Sequence, residues 1–159
     1  MKVVKYIAYH ICTNYFEDTN VLENIIRKCE NINRSRTEEI LENHRPCDVV
    51  VSRMNALFVC YDKENVEFWI NKKFKNKPLY IYKLELTGNL YWFDAFFYEE
   101  IFECINSNDL NQRVEALSNS YWKEINPEKK YPALVEGLFT GKVIIKEIYT
   151  DSGFIVDKE

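Results

Sequence analysis

The apolar positions of this chain recur with two different periods, which predict strands and helices in turn. The first run, Val3–Cys12, carries β-branched and aromatic side chains at both odd and even positions. Apolar side chains on both faces predict a buried strand. A helix is expected next, because Asp18 or Thr19 can cap it. Its apolar stripe is formed by Leu22, Ile25, Ile26 and Cys29. A second, more polar helix is expected over Thr37–Asn43.

The middle of the chain predicts a strand, a helix and another strand. Ala56–Tyr61 is a short apolar run that ends at Asp62, a residue suited to start a helix. The helix is indicated by apolar positions at Val66, Trp69 and Ile70. Leu79–Leu86 alternates with period two, and the turn residues Thr87-Gly88-Asn89 predict that this strand ends there.

The last third predicts two helices followed by sheet. One helix is expected around Glu99–Cys104 and the other along a stripe of Leu110, Val114, Leu117 and Tyr121, before Pro127 and Pro132. From Leu134 onwards two β segments are separated by Gly141. No linker divides the chain, so we expect one α/β (α+β) domain over residues 1–159, with a small, mixed, mostly antiparallel sheet flanked by helices.

Composition narrows the class of protein. The net charge of -4 argues against general attraction to nucleic acid or to an anionic membrane. The five cysteines include no CxxC pair, so neither a zinc site nor a disulfide framework is expected. No apolar run is long enough for a membrane span or a secretory leader, so a reducing cytoplasm is the expected setting.

Arginine is unevenly distributed. Five of the six arginines lie in the first half, at positions Arg27, Arg34, Arg36, Arg45 and Arg53. A solvated helical face explains this pattern, and so does phosphate recognition, since guanidinium groups match phosphate oxygens. An RNA-binding module is therefore one hypothesis, and it predicts affinity that falls steeply with salt.

The usual catalytic motifs are absent from the sequence. It contains no glycine-rich phosphate loop, no His-Glu-x-x-His and no Gly-x-Ser-x-Gly. The two histidines, His10 and His44, have no recognisable nucleophile nearby in the chain.

Three segments nevertheless resemble a known family. They are Ser52–Cys60, then Leu79–Asn89 after the helix of Val66 and Trp69, and last Tyr121-Trp122 with Glu136–Val143. Together they are similar to a bacterial family of uncharacterised domains whose members share an ADP-ribosyltransferase-like fold. The resemblance covers about residues 50–148. It extends weakly to the first strand, where Tyr9-His10 matches the histidine that opens this fold in the His-Tyr-Glu group.

The resemblance implies NAD as substrate, cleavage of its nicotinamide–ribose bond and transfer of ADP-ribose to a protein, nucleic acid or small molecule. Glu136 matches the catalytic carboxylate, which stabilises an oxocarbenium-like species. Asp94 is its rival, because in rifamycin-modifying relatives an aspartate after the Thr-Gly turn is catalytic. His10 is expected to donate to a ribose hydroxyl, and Arg53 to bind the pyrophosphate or to fix a loop.

Other residues depart from the family pattern. Phe58 stands near the expected tyrosine position, Tyr61 lies at the strand end, and either is a candidate for stacking on NAD. The Ser-x-Ser strand and the Glu-x-Glu pair of arginine-specific transferases are absent, so transfer to arginine is not expected. A toxin, defence or counter-defence role is expected by analogy alone. The alternative is a non-catalytic interaction module that binds a protein partner through the aromatic segment Leu90–Tyr98.

Overall fold

The computed structural model of the chain describes residues 4–24, 29–74, 78–110, 112–129 and 134–150. The strands in these ranges are β1 (Lys5–Cys12), β2 (Leu57–Val59), β3 (Tyr80–Asp94) and β4 (Val135–Thr150). The helices are α1 (Asn20–Glu23), α2 (Ile32–Asn43), α3 (Lys63–Lys73), α4 (Phe96–Asn106) and α5 (Gln112–Tyr121), with a 3-10 turn at Pro127–Lys129.

The strands form one sheet in the order β1-β3-β4-β2, and every neighbouring pair is antiparallel. Helices α2, α4 and α5 pack on one face, around Phe93 and Leu138 of the sheet. The other face buries Leu84, Leu86 and Phe139. The predicted fold class, a small antiparallel sheet flanked by helices, is confirmed.

Two glycines face each other in the middle of the long β3–β4 pair. Gly88 is paired with Gly141, and their φ angles are +154° and +144°. A Cβ atom on Gly88 would lie 2.4 Å from the Thr140 carbonyl oxygen, and one on Gly141 would lie 2.5 Å from the Thr87 oxygen. Only glycine fits this crossing without strain.

The first strand of the sheet meets the residue that follows the opposite edge strand. In a flat sheet of this order β1 and β2 would be three strand spacings apart, about 14 Å. Instead, the Tyr9 amide donates to the Cys60 carbonyl at 3.0 Å, and the Cys60 amide donates to the Tyr9 carbonyl at 2.6 Å. Strand β1 pairs with residues 80–87 of β3, which precede Gly88. Strand β2 pairs with residues 137–139 of β4, and these lie opposite residues 90–92 of β3, which follow Gly88. The sheet therefore curls until its edges touch.

Several predicted elements differ from the observed ones. Strand β3 continues through Thr87-Gly88-Asn89 to Asp94, and β4 continues through Gly141, so the predicted turn and the predicted strand break are both wrong. Strand β1 is less buried than predicted, with Ala8 its one fully buried residue, because it lies at a sheet edge. The helix predicted over Leu22–Cys29 is the four-residue α1, and Ile25 and Ile26 lie outside the described residues.

Other predictions agree with the structure. Helix α3 begins as expected after Asp62, whose side chain accepts a hydrogen bond from the Asn65 amide at 2.9 Å. Helix α2 is longer than predicted, and α5 begins after Leu110, which is exposed. Within the described ranges, no helix combines the length and the hydrophobicity that crossing a bilayer requires.

Candidate functional site

A cavity of about 260 Å³ lies where the curled sheet edges meet. Strand β1 contributes two of the lining residues, and the segment 56–60 around β2 contributes four. The remaining four come from α3, from Phe74 directly after it, and from β4. The lining residues are His10, Ile11, Ala56, Phe58, Val59, Cys60, Trp69, Lys73, Phe74 and Glu136. Three elements far apart in sequence thus bring one imidazole, one ammonium and one carboxylate group to a largely apolar space.

His10 is held to the opposite edge of the sheet. Its Nδ1 lies 2.7 Å from the carbonyl oxygen of Phe58. Because a carbonyl oxygen only accepts, Nδ1 carries the proton and Nε2 is left as an acceptor. Burial lowers the pKa of His10, with the Phe58 hydrogen bond acting in the opposite direction. The imidazole is therefore neutral at pH 7.

Glu136 is anchored through one of its two oxygens. Oε1 accepts a hydrogen bond from Arg53 Nη1 at 2.5 Å and another from the Tyr121 hydroxyl at 2.9 Å. Among the described residues, nothing donates to Oε2. The carboxylate is thus fixed in orientation, with one oxygen left for a ligand.

Arg53 lies behind Glu136 and is almost fully buried. It bridges two carboxylates, since Nε and Nη2 donate to Glu38 at 2.7 and 3.1 Å while Nη1 donates to Glu136. The rings of Phe58, Tyr98 and Tyr121 lie 4.4 to 5.2 Å from its guanidinium carbon. Burial opposes the charge, but Glu136, Tyr121 and Glu38 outweigh it and raise the pKa of Arg53 well above its usual value.

Helix α3 is tied to the start of β4, which positions the cavity wall opposite His10. The carbonyl of Val135 accepts from the Trp69 indole at 2.9 Å and from the Asn65 side chain at 3.0 Å. Trp69 is thereby fixed next to Glu136, and the following turn of the helix brings Lys73 to the same wall.

The structure brings together some of the residues singled out in the sequence. His10, Phe58 and Glu136 line the cavity, and Arg53 touches Glu136 from behind. Asp94 and Tyr61 are not among the lining residues. Asp94, the last residue of β3, accepts a hydrogen bond from the Phe96 amide at 3.0 Å, one residue before the N-cap Ala95 of α4, and Tyr61 packs edge-on against Trp92.

Sequence reasoning missed other residues of the site. Glu38 and Tyr121, which hold Arg53 and Glu136, come from helices α2 and α5. No motif marks Glu38, and Tyr121 stands out in the sequence only as part of the Tyr121-Trp122 pair, with no role in the site expected of it. Lys73 lies in a run of lysines that is typical of an exposed helix end. Of the clustered arginines, Arg34 forms an ion pair with Glu99 and Arg45 forms one with Glu42. The positive charges of these two arginines are therefore balanced by neighbouring carboxylates.

The fold and the site define a small α/β domain whose curled antiparallel sheet encloses a cavity with a buried ion-pair network. A family model described as "Protein of unknown function (DUF2441)" matches residues 2–151. Since the match spans nearly the whole chain, the protein belongs to this family. A search of curated proteins finds no match. The expected uncharacterised family is thus confirmed, and the relation to ADP-ribosyltransferases stays a prediction.

Proposed function

We propose that this protein binds NAD in the cavity and transfers its ADP-ribose to an acceptor, with Glu136 as the catalytic carboxylate. The observation that carries the proposal is that His10 of β1 and Glu136 of β4 line the same cavity. These are the two residues that matched the family's functional positions before any geometry was considered. Asp94, the rival carboxylate, is not part of that lining.

The proposed reaction is a substitution at the ribose carbon C1′. The bond to nicotinamide breaks, and nicotinamide leaves as a neutral molecule with the bonding electron pair. A hydroxyl or amine of the acceptor forms the new bond to C1′, and its proton passes to solvent. Positive charge develops on the ribose in between, and the Glu136 carboxylate stabilises it. Oε2 is suited to this task because Arg53 and Tyr121 hold Oε1 alone.

His10 takes an orienting role in this proposal. With Nδ1 committed to the Phe58 carbonyl, Nε2 accepts a hydrogen bond from a ribose hydroxyl. This reverses the donor role expected from the sequence. Phe58, Trp69 and Phe74 supply the apolar walls that a nicotinamide ring requires.

Calorimetry of NAD binding combined with assay of free nicotinamide tests the proposal. The parent protein is expected to bind NAD and to release nicotinamide. Glu136→Gln is expected to bind NAD with similar affinity and to release nicotinamide at least about a hundredfold more slowly. Glu147→Gln, an exposed change on the same strand, is the matched control and should behave as the parent.

The alternative is a non-catalytic module in which Glu136 serves only to neutralise Arg53. Its buried position and its two hydrogen bonds favour such a role. Absence of NAD binding in both the parent and Glu136→Gln supports the alternative. The aromatic segment Leu90–Tyr98 would be its partner surface, but Phe93 and Tyr98 are buried and Phe96 is its most exposed large side chain.

A further inference from the structure

A second cavity, of about 440 Å³, shares a wall with the first. Its lining comes from the segment before α2, from α2 itself, from the segment before β2, from the end of α3 with Phe74, and from α4. The residues are Cys29, Glu30, Asn31, Arg34, Arg53, Lys73, Phe74 and Tyr98. Lys73 and Phe74 line both cavities, so these two side chains separate them.

Three cationic side chains reach the second cavity, and two of them already have counterions. Arg53 is bound by Glu38 and Glu136. Arg34 donates to both carboxylate oxygens of Glu99, at 3.2 and 3.1 Å, and its guanidinium carbon lies 3.6 Å from the centre of the Phe102 ring.

Lys73 is the exception. None of the described residues forms an ion pair with it, and its Nζ instead lies 4.9 Å from the centre of the Trp69 ring. Partial loss of solvent contact lowers the pKa of Lys73, as do the charges of Arg53 and Arg34, while Glu136 and Glu99 act in the opposite direction. The residue as a whole stays exposed. An anion bound in the second cavity would strengthen this opposing effect and keep the amine charged.

Arg34 also lines this cavity and has further donors. Both hydrogen bonds to Glu99 come from its Nη1, Tyr98 takes another hydrogen bond, and a guanidinium group carries five N–H donors in all. A guanidinium and an ammonium group lining one cavity match the several oxygens of a phosphoryl group.

We propose that the second cavity is a phosphate-binding site, with Lys73 as counterion and Arg34 as second donor. The site takes the phosphoryl groups of a nucleotide whose remainder extends along the wall shared with the first cavity. This inference rests on the proposed function only where it assigns both cavities to one ligand.

Calorimetric titration of the full chain with ADP tests the site without any cleavage reaction. Lys73→Gln is expected to weaken ADP binding about tenfold or more, the usual loss for a charged hydrogen bond. Lys73→Arg should retain most of the affinity. The matched control is Lys72→Gln, on the same helix turn, whose Nζ lies instead 6.0 Å from the Phe68 ring centre and which should bind ADP as the parent does.

Adenosine, which lacks phosphate, supplies the second arm of the test. The parent should prefer ADP over adenosine, and Lys73→Gln should lose most of that preference. Equal ADP affinity in the parent and in a correctly folded Lys73→Gln overturns the inference, as does an equal loss in Lys72→Gln.

The two proposals fail in distinguishable ways. If ADP binding depends on Lys73 but the parent releases no nicotinamide from NAD, the phosphate site stands and the proposed function falls. If nicotinamide is released while Lys73→Gln keeps its full affinity for ADP and NAD, the proposed function stands and the phosphate site falls.

Discussion

At the scale of single residues, Arg53 connects the core to the candidate site. Its guanidinium binds Glu38 of helix α2 and Glu136 of strand β4, and both carboxylates are buried with it. A buried charge that loses its partner is costly, whereas an exposed ion pair contributes little. The same side chain therefore has two tasks, since it fixes the orientation of Glu136 and supplies the counterion of two buried carboxylates.

Removing Arg53 should destabilise the protein strongly. Arg53→Ala is expected to lower the free energy of unfolding by about 3–5 kcal/mol, because Glu38 and Glu136 lose their counterion. Urea denaturation followed by circular dichroism measures the change. Arg113→Ala, at an ion pair with an exposed arginine, should cost less than about 1 kcal/mol. Equal effects of the two substitutions would contradict the assignment of Arg53.

His10 should make stability depend on pH. Burial lowers its pKa in the folded state below the ordinary value of 6.5, so the unfolded chain binds more protons in that range. The stability that the neutral His10 contributes is fully present above pH 6.5, and it is lost as the pH falls towards the lowered pKa of the folded state.

Thermal unfolding between pH 7 and pH 5 tests this contribution of His10. His10→Gln should show a flatter decline of melting temperature on acidification than the parent does. An identical slope in the parent and in His10→Gln would count against a lowered pKa.

At the scale of elements, two facing glycines mark the middle of the long β3–β4 pair. Gly88 and Gly141 lie opposite each other with positive φ, and each leaves no room for a Cβ atom. Strand β1 meets the end of β2 at Tyr9 and Cys60, next to the cavity. Helix α3 then supplies the remaining wall, since Trp69 and Asn65 bind the carbonyl of Val135.

A side chain at the crossing should be poorly tolerated. Gly88→Ala is expected to cost about 1–3 kcal/mol of unfolding free energy, because its Cβ would collide with the Thr140 carbonyl at an unfavourable φ. It should also weaken NAD binding through the displaced β1. Thr140→Ala, next to the crossing, should change stability by about 0.5 kcal/mol or less. Chemical denaturation of both variants decides this point, and a Gly88→Ala protein as stable as the parent would refute it.

These elements also show what sequence can and cannot predict here. Helix α3 was predicted correctly because a local signal, Asp62 followed by apolar residues at helical spacing, determines it. The Thr87-Gly88-Asn89 segment was mistaken for a turn because glycine usually interrupts strands, and its partner Gly141 is distant in the chain. A pairing between residues that are far apart in the chain is not visible in the hydrophobic pattern of either segment.

The same distinction applies to the site. His10, Phe58 and Glu136 could be singled out because they fall in segments that resemble a family. Glu38 and Lys73 could not, since a glutamate and a lysine on helices are ordinary residues until the fold places them. Tyr121 falls in a resembling segment, but nothing in the sequence links its hydroxyl to Glu136. Their roles arise from three-dimensional contacts between helices and sheet.

At the scale of the whole molecule, the curled sheet provides two adjoining cavities with different chemistry. The first is lined mainly by apolar side chains together with His10 and Glu136, and the second carries Arg34 and Lys73. Such a division suits a ligand with a flat aromatic ring at one end and phosphates further along. The central claim is that NAD occupies the first cavity with its reacting ribose between His10 and Glu136.

A crystal structure of the protein with a hydrolysis-resistant NAD analogue tests that claim most directly. The expected result is electron density for the nicotinamide riboside in the first cavity, with a ribose hydroxyl donating to His10 Nε2 and the ribose within hydrogen-bond distance of Glu136 Oε2. Density for the analogue at another surface, with the cavity lined by His10 and Glu136 left empty, would contradict the account.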